Sequence, residues 1–331
     1  MNFNQVASEF INKRILVIGD VMIDAYMLGN VNRVSPEAPV PIVSLKKDEE
    51  RLGGAANVAI NLVALGAQVT LCSVIGNDKS GLLLKDLLKK HSISSKGITL
   101  SNERTTTVKT RVIGNNQHLL RIDAEETDDI TKSEEETLLA KVESILLDGI
   151  DAIIFEDYNK GVLTERVIQD VVELANEKEI ITTVDPKHKN FYAYKNVTLF
   201  KPNLKELKEG VNKQFTFQDT VLFNEAINYL ENQLNNQITF VTLSEYGVFI
   251  KDHKTSHHIS AHIRNIADVS GAGDTVIAVA TLCLTAGLSL KEVAEIANLA
   301  GGLVCEKSGV VSIDKDQLIK EVSLLRKKQV L

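Results

Sequence analysis

The segment 268–274, Asp-Val-Ser-Gly-Ala-Gly-Asp, combines a flexible backbone with a carboxylate. Gly271 and Gly273 flank Ala272, so the chain can turn tightly there and approach a ligand without a Cβ atom in the way. Asp274 follows at once, and a carboxylate there can accept the proton of a hydroxyl as that hydroxyl attacks a phosphoryl group. The segment therefore predicts phosphoryl transfer, the chemistry of a kinase.

A helix is predicted to begin at this segment. Within the apolar run 275–284, Val276, Val279, Ala280 and Leu284 recur at helical spacing. The free N–H groups and the dipole at a helix N-terminus bind anions such as phosphate. The predicted helix therefore supplies the anion site that the carboxylate needs beside it.

Composition excludes several classes of function. The 331 residues are 44% hydrophobic and 24% charged, with a net charge of −7, so a globular protein without a nucleic-acid-binding surface is predicted. The longest uncharged stretch, Thr275–Leu290, is shorter than the roughly 20 apolar residues of a membrane span. Met1–Arg14 lacks the apolar core of a secretory signal, and Cys72, Cys283 and Cys305 lie in apolar runs. We therefore expect a cytoplasmic protein with reduced cysteines and no membrane contact.

Short apolar runs alternate with amphipathic runs along most of the chain, which predicts an α/β fold with a mostly parallel sheet between layers of helices. The predicted strands are 15–19, 69–75, 152–156, 180–185, 198–201 and 238–243, and the predicted helices are 55–65, 81–90, 134–147, 164–178 and 219–234. Ligands of such sheets bind beyond the carboxyl ends of the strands.

Two segments break this alternation, Ala25–Leu45 and Thr105–Asp123. Their apolar residues alternate with a period of two, so both are predicted to form strands of a small antiparallel sheet inserted into the main fold. Such a sheet could cover the site as a lid. With no internal repeat or linker, residues 1–331 are predicted to form a single domain.

Polar residues at two element ends are candidates for sugar binding. Gly53 and Gly54 open the helix that carries Asn57, where small residues would let a ligand reach backbone amides, but the pair taken alone favours a loop-to-helix junction that needs a left-handed residue. Asp24 lies just past the first strand, where it would suit a polyhydroxylated substrate or form an ordinary turn.

Lys109, Arg111 and Arg121 lie in the second inserted segment, together with Gln117. The spacing of Lys109 and Arg111 places both on one face of a strand. Cations gathered there would hold a second, non-reacting phosphate, although basic residues also protect exposed sheet edges.

Asn203 and Glu206 lie three residues apart after a strand and Pro202. Together they could position Mg²⁺ through water beside nucleotide phosphates. The same spacing also fits a helix capping box, and both interpretations can hold together.

These motifs occur in the order and spacing of a known family. The pair Gly53-Gly54, the pattern Asn203-x-x-Glu206 and the segment Gly271–Asp274 resemble the ribokinase-like (PfkB) carbohydrate kinases over about residues 12–312. Within that family, the heptose 7-phosphate kinase branch is similar in the stretches 19–24, 33–41, 108–111, 121–123, 156–161 and 185–187. Ser270 stands where threonine is usual, which keeps the hydroxyl.

The resemblance implies a ribokinase-like fold and ATP-dependent phosphorylation of the anomeric hydroxyl of D-glycero-D-manno-heptose 7-phosphate, with Mg²⁺, a step towards lipopolysaccharide core synthesis. It implies that Asp274 is the base and that the N–H groups of Gly271, Ala272 and Gly273 stabilise the transferring group. The remaining implied roles are sugar binding by Asp24, Gly53, Gly54, Asn57 and Asp157, 7-phosphate binding by Lys109, Arg111, Gln117 and Arg121, and nucleotide binding by Asn203, Glu206, Ser244, Gly247, Gly271, Gly273 and Asn298. A monovalent cation such as K⁺ near Asp268 and a homodimer formed through the lid strands are further expectations. The alternatives are another sugar or sugar-phosphate kinase of the family, and a non-catalytic sugar- or nucleotide-binding regulator.

Overall fold

A computed structural model describes residues 3–262 and 264–330 of the chain. Within these residues the chain forms thirteen strands and ten α-helices. The strands are β1 (Arg14–Gly19), β2 (Val21–Val34), β3 (Pro41–Gly54), β4 (Gln68–Gly76), β5 (Ser94–Ser101), β6 (Val108–Gly114), β7 (Gln117–Ala124), β8 (Ala152–Glu156), β9 (Ile181–Asp185), β10 (Leu199–Phe200), β11 (Ile238–Thr242), β12 (Val248–Lys251) and β13 (Ser256–Ile259). The helices are α1 (Phe3–Glu9), α2 (Ala55–Leu65), α3 (Lys79–Lys90), α4 (Lys132–Leu146), α5 (Glu165–Glu177), α6 (Leu204–Gly210), α7 (Thr220–Leu234), α8 (Ala272–Thr285), α9 (Leu290–Cys305) and α10 (Lys315–Val330).

Nine strands form one large sheet in the order β13-β12-β11-β10-β9-β8-β1-β4-β5. Its strands are parallel from β11 through β5, and β12 and β13 continue it as an antiparallel hairpin. The predicted strands and helices are confirmed, with bounds that differ by no more than two residues at either end. The sequence-based prediction did not include β5, β12, β13, α1, α6, α9 or α10.

The large sheet is buried on both faces because side chains alternate along each strand. In β1, Ile15 and Val17 face the hydrophobic cluster that includes residues of α2, α8 and α9. Leu16 and Ile18 face the opposite cluster, formed with α4, α5 and α7. This continuous apolar strand explains the sandwich of helix, sheet and helix that the sequence predicts. The three cysteines are free and buried, as expected.

A second sheet of four strands, hereafter the small sheet, has the order β3-β2-β6-β7. It is built from the two segments that break the alternation, but β2 and β3 run further than predicted, to Gly54 at the start of α2. The prediction of a purely antiparallel sheet was wrong: β2 and β6 are parallel, with Asp24 opposite Lys109, while the outer pairs are antiparallel. The two segments enter from different places in the chain, so local alternation could not specify their relative direction.

Candidate active site

Seven of the predicted site residues line one space, where the carboxyl ends of the central strands meet the N-terminus of α8. A cavity of about 780 Å³ opens there. It is lined by Gly273 and Asp274 of α8, by Asp185 and Lys201 at the ends of β9 and β10, and by Tyr158 after β8. Polar groups from four separate chain segments thus face one space, which is the arrangement expected of a ligand site in an α/β sheet.

The N-terminus of α8 points its backbone at this cavity without a side-chain cap. Gly271 precedes the helix with φ of 77°, a left-handed conformation that strains any residue with a Cβ atom. A Cβ atom on Gly271 would lie 2.9 Å from Nδ2 of Asn57, whereas one on Gly273 would lie 3.5 Å from Oδ2 of Asp185. The first position therefore requires glycine, and the second leaves room beside the acidic cluster described below.

Asp274 lies in the first turn of α8 and is 7% exposed. Nδ2 of Asn57 donates a hydrogen bond of 2.6 Å to its Oδ2 atom, and the Tyr158 hydroxyl donates one of 2.9 Å to Oδ1. Burial raises the pKa of Asp274, as does the charge of Asp185, while the two donors oppose the shift. The carboxylate is thus fixed in orientation and more basic than an aspartate in water.

Two more carboxylates and a lysine lie next to Asp274. Glu156 and Asp185 are paired in the register of β8 and β9, and the Lys201 ammonium lies 2.7 Å from Oδ2 of Asp185. Burial lowers the pKa of Lys201, but the charges of Asp185 and Glu206 outweigh it, so the pKa is raised. Lys201 therefore remains protonated inside the site.

Asn203 and Glu206 form the capping box of α6: Oδ1 of Asn203 accepts the Glu206 N–H at 2.9 Å, and Oε2 of Glu206 accepts the Asn203 N–H at 2.9 Å. The other oxygen of Glu206 lies 2.5 Å from the Lys187 ammonium. The helix capping box that the spacing of Asn203 and Glu206 predicted is thus present. It holds Asn203 at the wall of the cavity.

The remaining predicted nucleotide residues, Ser244, Gly247 and Asn298, also line the cavity. Gly247 has φ of 88°, so glycine is required at this tight turn between β11 and β12. Nδ2 of Asn298 donates a hydrogen bond of 2.9 Å to the backbone oxygen of Ser260. Of the three, Asn298 belongs to α9, and Ser244 and Gly247 lie between β11 and β12.

Of the residues predicted to bind sugar, Asp24, Gly53 and Gly54 belong to β2 and β3 of the small sheet, and Asn57 lies in the first turn of α2. Asp24 is 4% exposed and is ion-paired with Arg111 from β6. A Cβ atom on Gly53 would lie 2.4 Å from Oδ2 of Asp24, and Gly54 has φ of 59° at the entrance to α2. Gly54 therefore supplies the positive φ that the junction between strand and helix needs. Gly53 leaves space for the Asp24 carboxylate.

The structure brings three of the four residues predicted to hold the second phosphate onto one face of the small sheet and places the fourth, Gln117, apart from them. Lys109 lies 3.9 Å from Glu125, and Arg121 is bonded to Asp123 at 2.9 Å, opposite Arg111 in the β6–β7 register. Lys109, Arg111 and Arg121 thus share one face. Gln117 is exposed and pairs with Gly114 at the far end of the hairpin, roughly 20 Å along the strand from Asp123.

Asp157 faces away from the cavity. Its oxygens accept the Asn159 N–H and the Tyr194 hydroxyl, each at 2.8 Å, and it is 2% exposed. Burial, with the charge of Asp20, raises the pKa of Asp157 to about 6. Asp20 itself accepts the N–H groups of Tyr158, Lys160 and Val162, and so holds this loop in place.

Comparison with known proteins identifies the family. The model of the pfkB family carbohydrate kinases matches residues 12–317. The chain belongs to this family. It is a carbohydrate kinase, and membership implies ATP and a divalent metal ion as cofactors.

Curated relatives of this PfkB kinase are longer than the chain. It is 38% identical over 313 residues to the bifunctional protein HldE of Aliarcobacter butzleri, covering 95% of the chain and 65% of the relative. It is 39% identical over 308 residues to the bifunctional protein HldE of Methylobacillus flagellatus, covering 93% of the chain and 63% of the relative. The chain thus spans slightly less than two thirds of these proteins.

Solved structures show that the PfkB kinase has the ribokinase-like fold. Phosphofructokinase-2 from Escherichia coli in complex with potassium matches with a TM-score of 0.78 at 19% identity, over 95% of the chain and 99% of the match. Arabidopsis thaliana ribokinase complexed with ribose and ATP matches with a TM-score of 0.70 at 16% identity, over 93% of the chain and 99% of the match.

The residues of the PfkB kinase fit ATP and a divalent ion. The uncapped N-terminus of α8 offers N–H groups to phosphate, and buried Oε2 of Glu156 has no hydrogen-bond partner. Carboxylate oxygens are the ligands that Mg²⁺ prefers.

Among the described residues, no helix is long and apolar enough to cross a bilayer.

Sequence reasoning missed five residues of the site: Glu156, Tyr158, Asp185, Lys187 and Lys201. Four lie in the stretches 156–161 and 185–187, which carried the family resemblance, but no role was assigned to them. Their one local signal is position, since Glu156, Asp185 and Lys201 end or directly follow strands of the sheet.

Proposed function

We propose that this kinase transfers the γ-phosphoryl group of ATP to the anomeric hydroxyl of D-glycero-D-manno-heptose 7-phosphate, giving the 1,7-bisphosphate and ADP. The observation that carries phosphoryl transfer is the geometry of Asp274, a buried carboxylate held by Asn57 and Tyr158 at an uncapped helix N-terminus. The resemblance to heptose 7-phosphate kinases and the relatives named HldE support the choice of sugar.

In this mechanism Asp274 accepts the proton of the attacking hydroxyl while the new O–P bond forms and the bond to ADP breaks. The N–H groups of Gly271, Ala272 and Gly273 stabilise the negative charge of the transferring group, and losing one such donor typically costs on the order of 10²–10³ in rate. Since the transition state is loose, orientation of the reactants contributes more than the strength of the base. Asn57 and Tyr158 provide that orientation at the carboxylate.

ATP occupies the cavity between α8 and α9, against Ser244, Gly247 and Asn298. Asn203 and Glu206 would hold the divalent ion, which would supply positive charge to neutralise the phosphates. Lys201 adds a fixed positive charge beside Asp185.

The sugar phosphate lies under the small sheet, which acts as a lid. Asp24, Gly53, Gly54 and Asn57 contact its hydroxyls, and a contribution from Asp157 requires that its present partner Tyr194 be displaced. Lys109, Arg111 and Arg121 lie on one face of the small sheet and bind the 7-phosphate, with Gln117 the most distant member of the set.

We further propose a K⁺ site near Asp268 and a homodimer formed through the small sheet. For the K⁺ site, burial raises the pKa of Asp268, but the hydrogen bonds that it accepts from the N–H groups of Ser270 and Gly309 outweigh burial and lower it. Asp268 is therefore an ionised ligand at the edge of the active site.

For the homodimer, the small sheet offers apolar side chains that are more than half exposed: Leu45, Leu120 and Ile122, at 54, 57 and 52%. Turnover in KCl against NaCl at equal ionic strength tests the first proposal, and sedimentation of a Leu120→Asp variant tests the second.

One experiment tests the function as a whole: ATP turnover against a panel of sugar 7-, 6- and 1-phosphates and free sugars, with the wild type beside Asp274→Asn. We expect the heptose 7-phosphate to be preferred, and the Asn variant to lose about 10²–10⁴ in kcat. Equal turnover by Asp274→Asn would contradict the role of the base. A preference for an unphosphorylated sugar would contradict the choice of substrate and leave the kinase assignment intact.

A further inference from the structure

Two lysines flank one carboxylate where the small sheet meets the loop between β8 and α5. Glu125 directly follows β7, and its Oε1 atom lies 2.8 Å from the Lys160 ammonium. Its Oε2 atom lies 3.9 Å from the ammonium of Lys109 on β6. The three side chains are 15 to 24% exposed, so water screens their charges only in part.

The backbone of Lys160 is fixed on both sides. Oδ2 of Asp20 accepts its N–H group at 3.0 Å, and the Arg104 guanidinium donates a hydrogen bond to its carbonyl oxygen. Asp20 is 1% exposed and accepts two further N–H groups of the same loop, those of Tyr158 and Val162. Only the side chain of Lys160 is therefore left to be ordered when it binds a ligand, which lowers the entropy cost of binding.

The same loop connects the proposed base to the small sheet. The Tyr158 hydroxyl donates a hydrogen bond of 2.9 Å to Asp274. Two residues further along, at most about 7 Å of backbone, Lys160 contacts Glu125. Lys160 thus links the site of the base to Lys109, which lies on the face of the small sheet proposed to bind the second phosphate.

Glu125 satisfies this pair of lysines incompletely. Its Oε2 atom is buried and has no hydrogen-bond partner, because the Lys109 ammonium lies beyond hydrogen-bonding distance. One negative charge also faces two positive charges, so the cluster keeps a positive charge that an anion can neutralise. A phosphate monoester carries about −1.5 to −2 charges at neutral pH and three acceptor oxygens. It therefore matches two ammonium groups better than a single carboxylate does.

We propose that Lys160 determines specificity for a phosphorylated sugar: together with Lys109 it binds the non-reacting phosphate of the substrate, which displaces the Glu125 carboxylate from between them. This inference rests on the proposed function, since it assumes that the acceptor is a sugar phosphate. Before the substrate binds, Glu125 serves as the counter-ion of both lysines. A sugar without the phosphate leaves Glu125 in place and gains nothing from either lysine.

The test is steady-state kinetics with two acceptors, D-glycero-D-manno-heptose 7-phosphate and the same heptose without its phosphate. In Lys160→Ala, KM for the phosphorylated sugar should rise about 10–100-fold with little change in kcat, because a contact with a charged group is lost. KM for the free heptose should stay near the wild-type value. Lys251→Ala on β12 is the matched control, because it also removes a partly exposed lysine from an ion pair with a glutamate, Glu231.

Glu125→Gln should have the opposite effect. The substitution removes the charge that competes with the phosphate, so KM for the phosphorylated sugar should fall about 2–5-fold, and KM for the free heptose should not. A merely structural role of this ion-pair cluster would change KM for both sugars alike.

Three results overturn the proposal: an equal change in KM for both sugars in Lys160→Ala, an unchanged KM for the phosphorylated sugar in that variant, and an unchanged or raised KM in Glu125→Gln. Lys160→Met, which keeps the aliphatic stem, replaces Lys160→Ala if the latter fails to fold. A wild type that prefers another sugar phosphate contradicts only the choice of heptose, and the comparison is then made with that compound and its free sugar. A wild type that prefers free sugars overturns this proposal together with the proposed substrate.

Discussion

Nδ2 of Asn57 donates a hydrogen bond of 2.6 Å to Oδ2 of Asp274 across 217 residues of sequence. The bond favours the ionised carboxylate and so lowers its pKa. In Asn57→Leu we expect the pKa of Asp274 to rise further, and the acid limb of kcat/KM to move to higher pH, because activity requires the ionised form. The pH profile of kcat/KM measures this shift. Asn224→Leu, on the exposed surface of α7, is the control, and an unmoved acid limb in Asn57→Leu would show that the bond does not act on the base.

Two glycines of the α8 turn should respond differently to alanine. Gly271→Ala places a Cβ atom in a left-handed conformation, 2.9 Å from Asn57, and should cost about 1–2 kcal/mol of stability. Gly273→Ala meets only ordinary contacts, the nearest at 3.5 Å, so its Tm should stay near that of the wild type. The new methyl group lies beside Asp185, where the phosphate of ATP is expected to bind. The KM of the Gly273→Ala variant for ATP should therefore rise. Thermal unfolding and steady-state kinetics separate the two effects, and equal Tm losses would contradict this account.

Two cations of the small sheet should contribute differently. Lys109 lies 3.9 Å from Glu125 in a loose pair, so Lys109→Ala should raise KM for the sugar phosphate about 10–100-fold with little change in Tm. Arg111 is paired with the buried Asp24, so Arg111→Ala should raise KM and also lower Tm, because it leaves that carboxylate without its counter-charge.

The control for both variants is Arg166→Ala, an exposed arginine on α5. KM for a sugar that lacks the phosphate should be nearly the same in all of these proteins. An equal rise in KM for phosphorylated and free sugars would mean that these cations do not bind the phosphate.

Asp157 should make stability depend on pH. Burial, with the charge of Asp20, raises its pKa from 3.8 to about 6, so the folded protein binds more protons than the unfolded chain between these values. The contribution of Asp157 to the free energy of unfolding is therefore at its maximum below pH 3.8. It decreases by about 3 kcal/mol as pH rises through 6. In Asp157→Asn this loss should disappear. Denaturant unfolding of both proteins at pH 4 and pH 8 measures it, and a parallel pH dependence in the two would contradict the prediction.

Local pattern accounts for much of the fold. The helix predicted at 55–65 has those same bounds in α2, because its apolar face recurs every three to four residues and glycine stands at both ends. The small sheet was predicted as antiparallel strands, and the direction was wrong for one of its three pairs, β2 and β6, since alternation indicates a strand and carries no information on the direction of its neighbour.

A role in phosphoryl transfer for the segment 271–274 could likewise be hypothesised from residue types, because a glycine-rich turn, a helix start and a carboxylate are adjacent in the chain. The partners of Asp274 could not. Asn57 and Tyr158 lie 217 and 116 residues away, and only the order and register of the strands bring them to one point.

The sequence by itself determined helices such as α2, buried strands such as β1 and β8, and the glycine-rich turn at the start of α8, because each depends on contacts within a few residues. Tertiary structure alone decided that Glu156 and Asp185 end neighbouring strands beside Asp274, and that the Arg111 guanidinium pairs with Asp24. Burial then changed what these groups can do: carboxylates that would be ordinary acids in water become bases and candidate ion ligands when strand register forces them together without solvent.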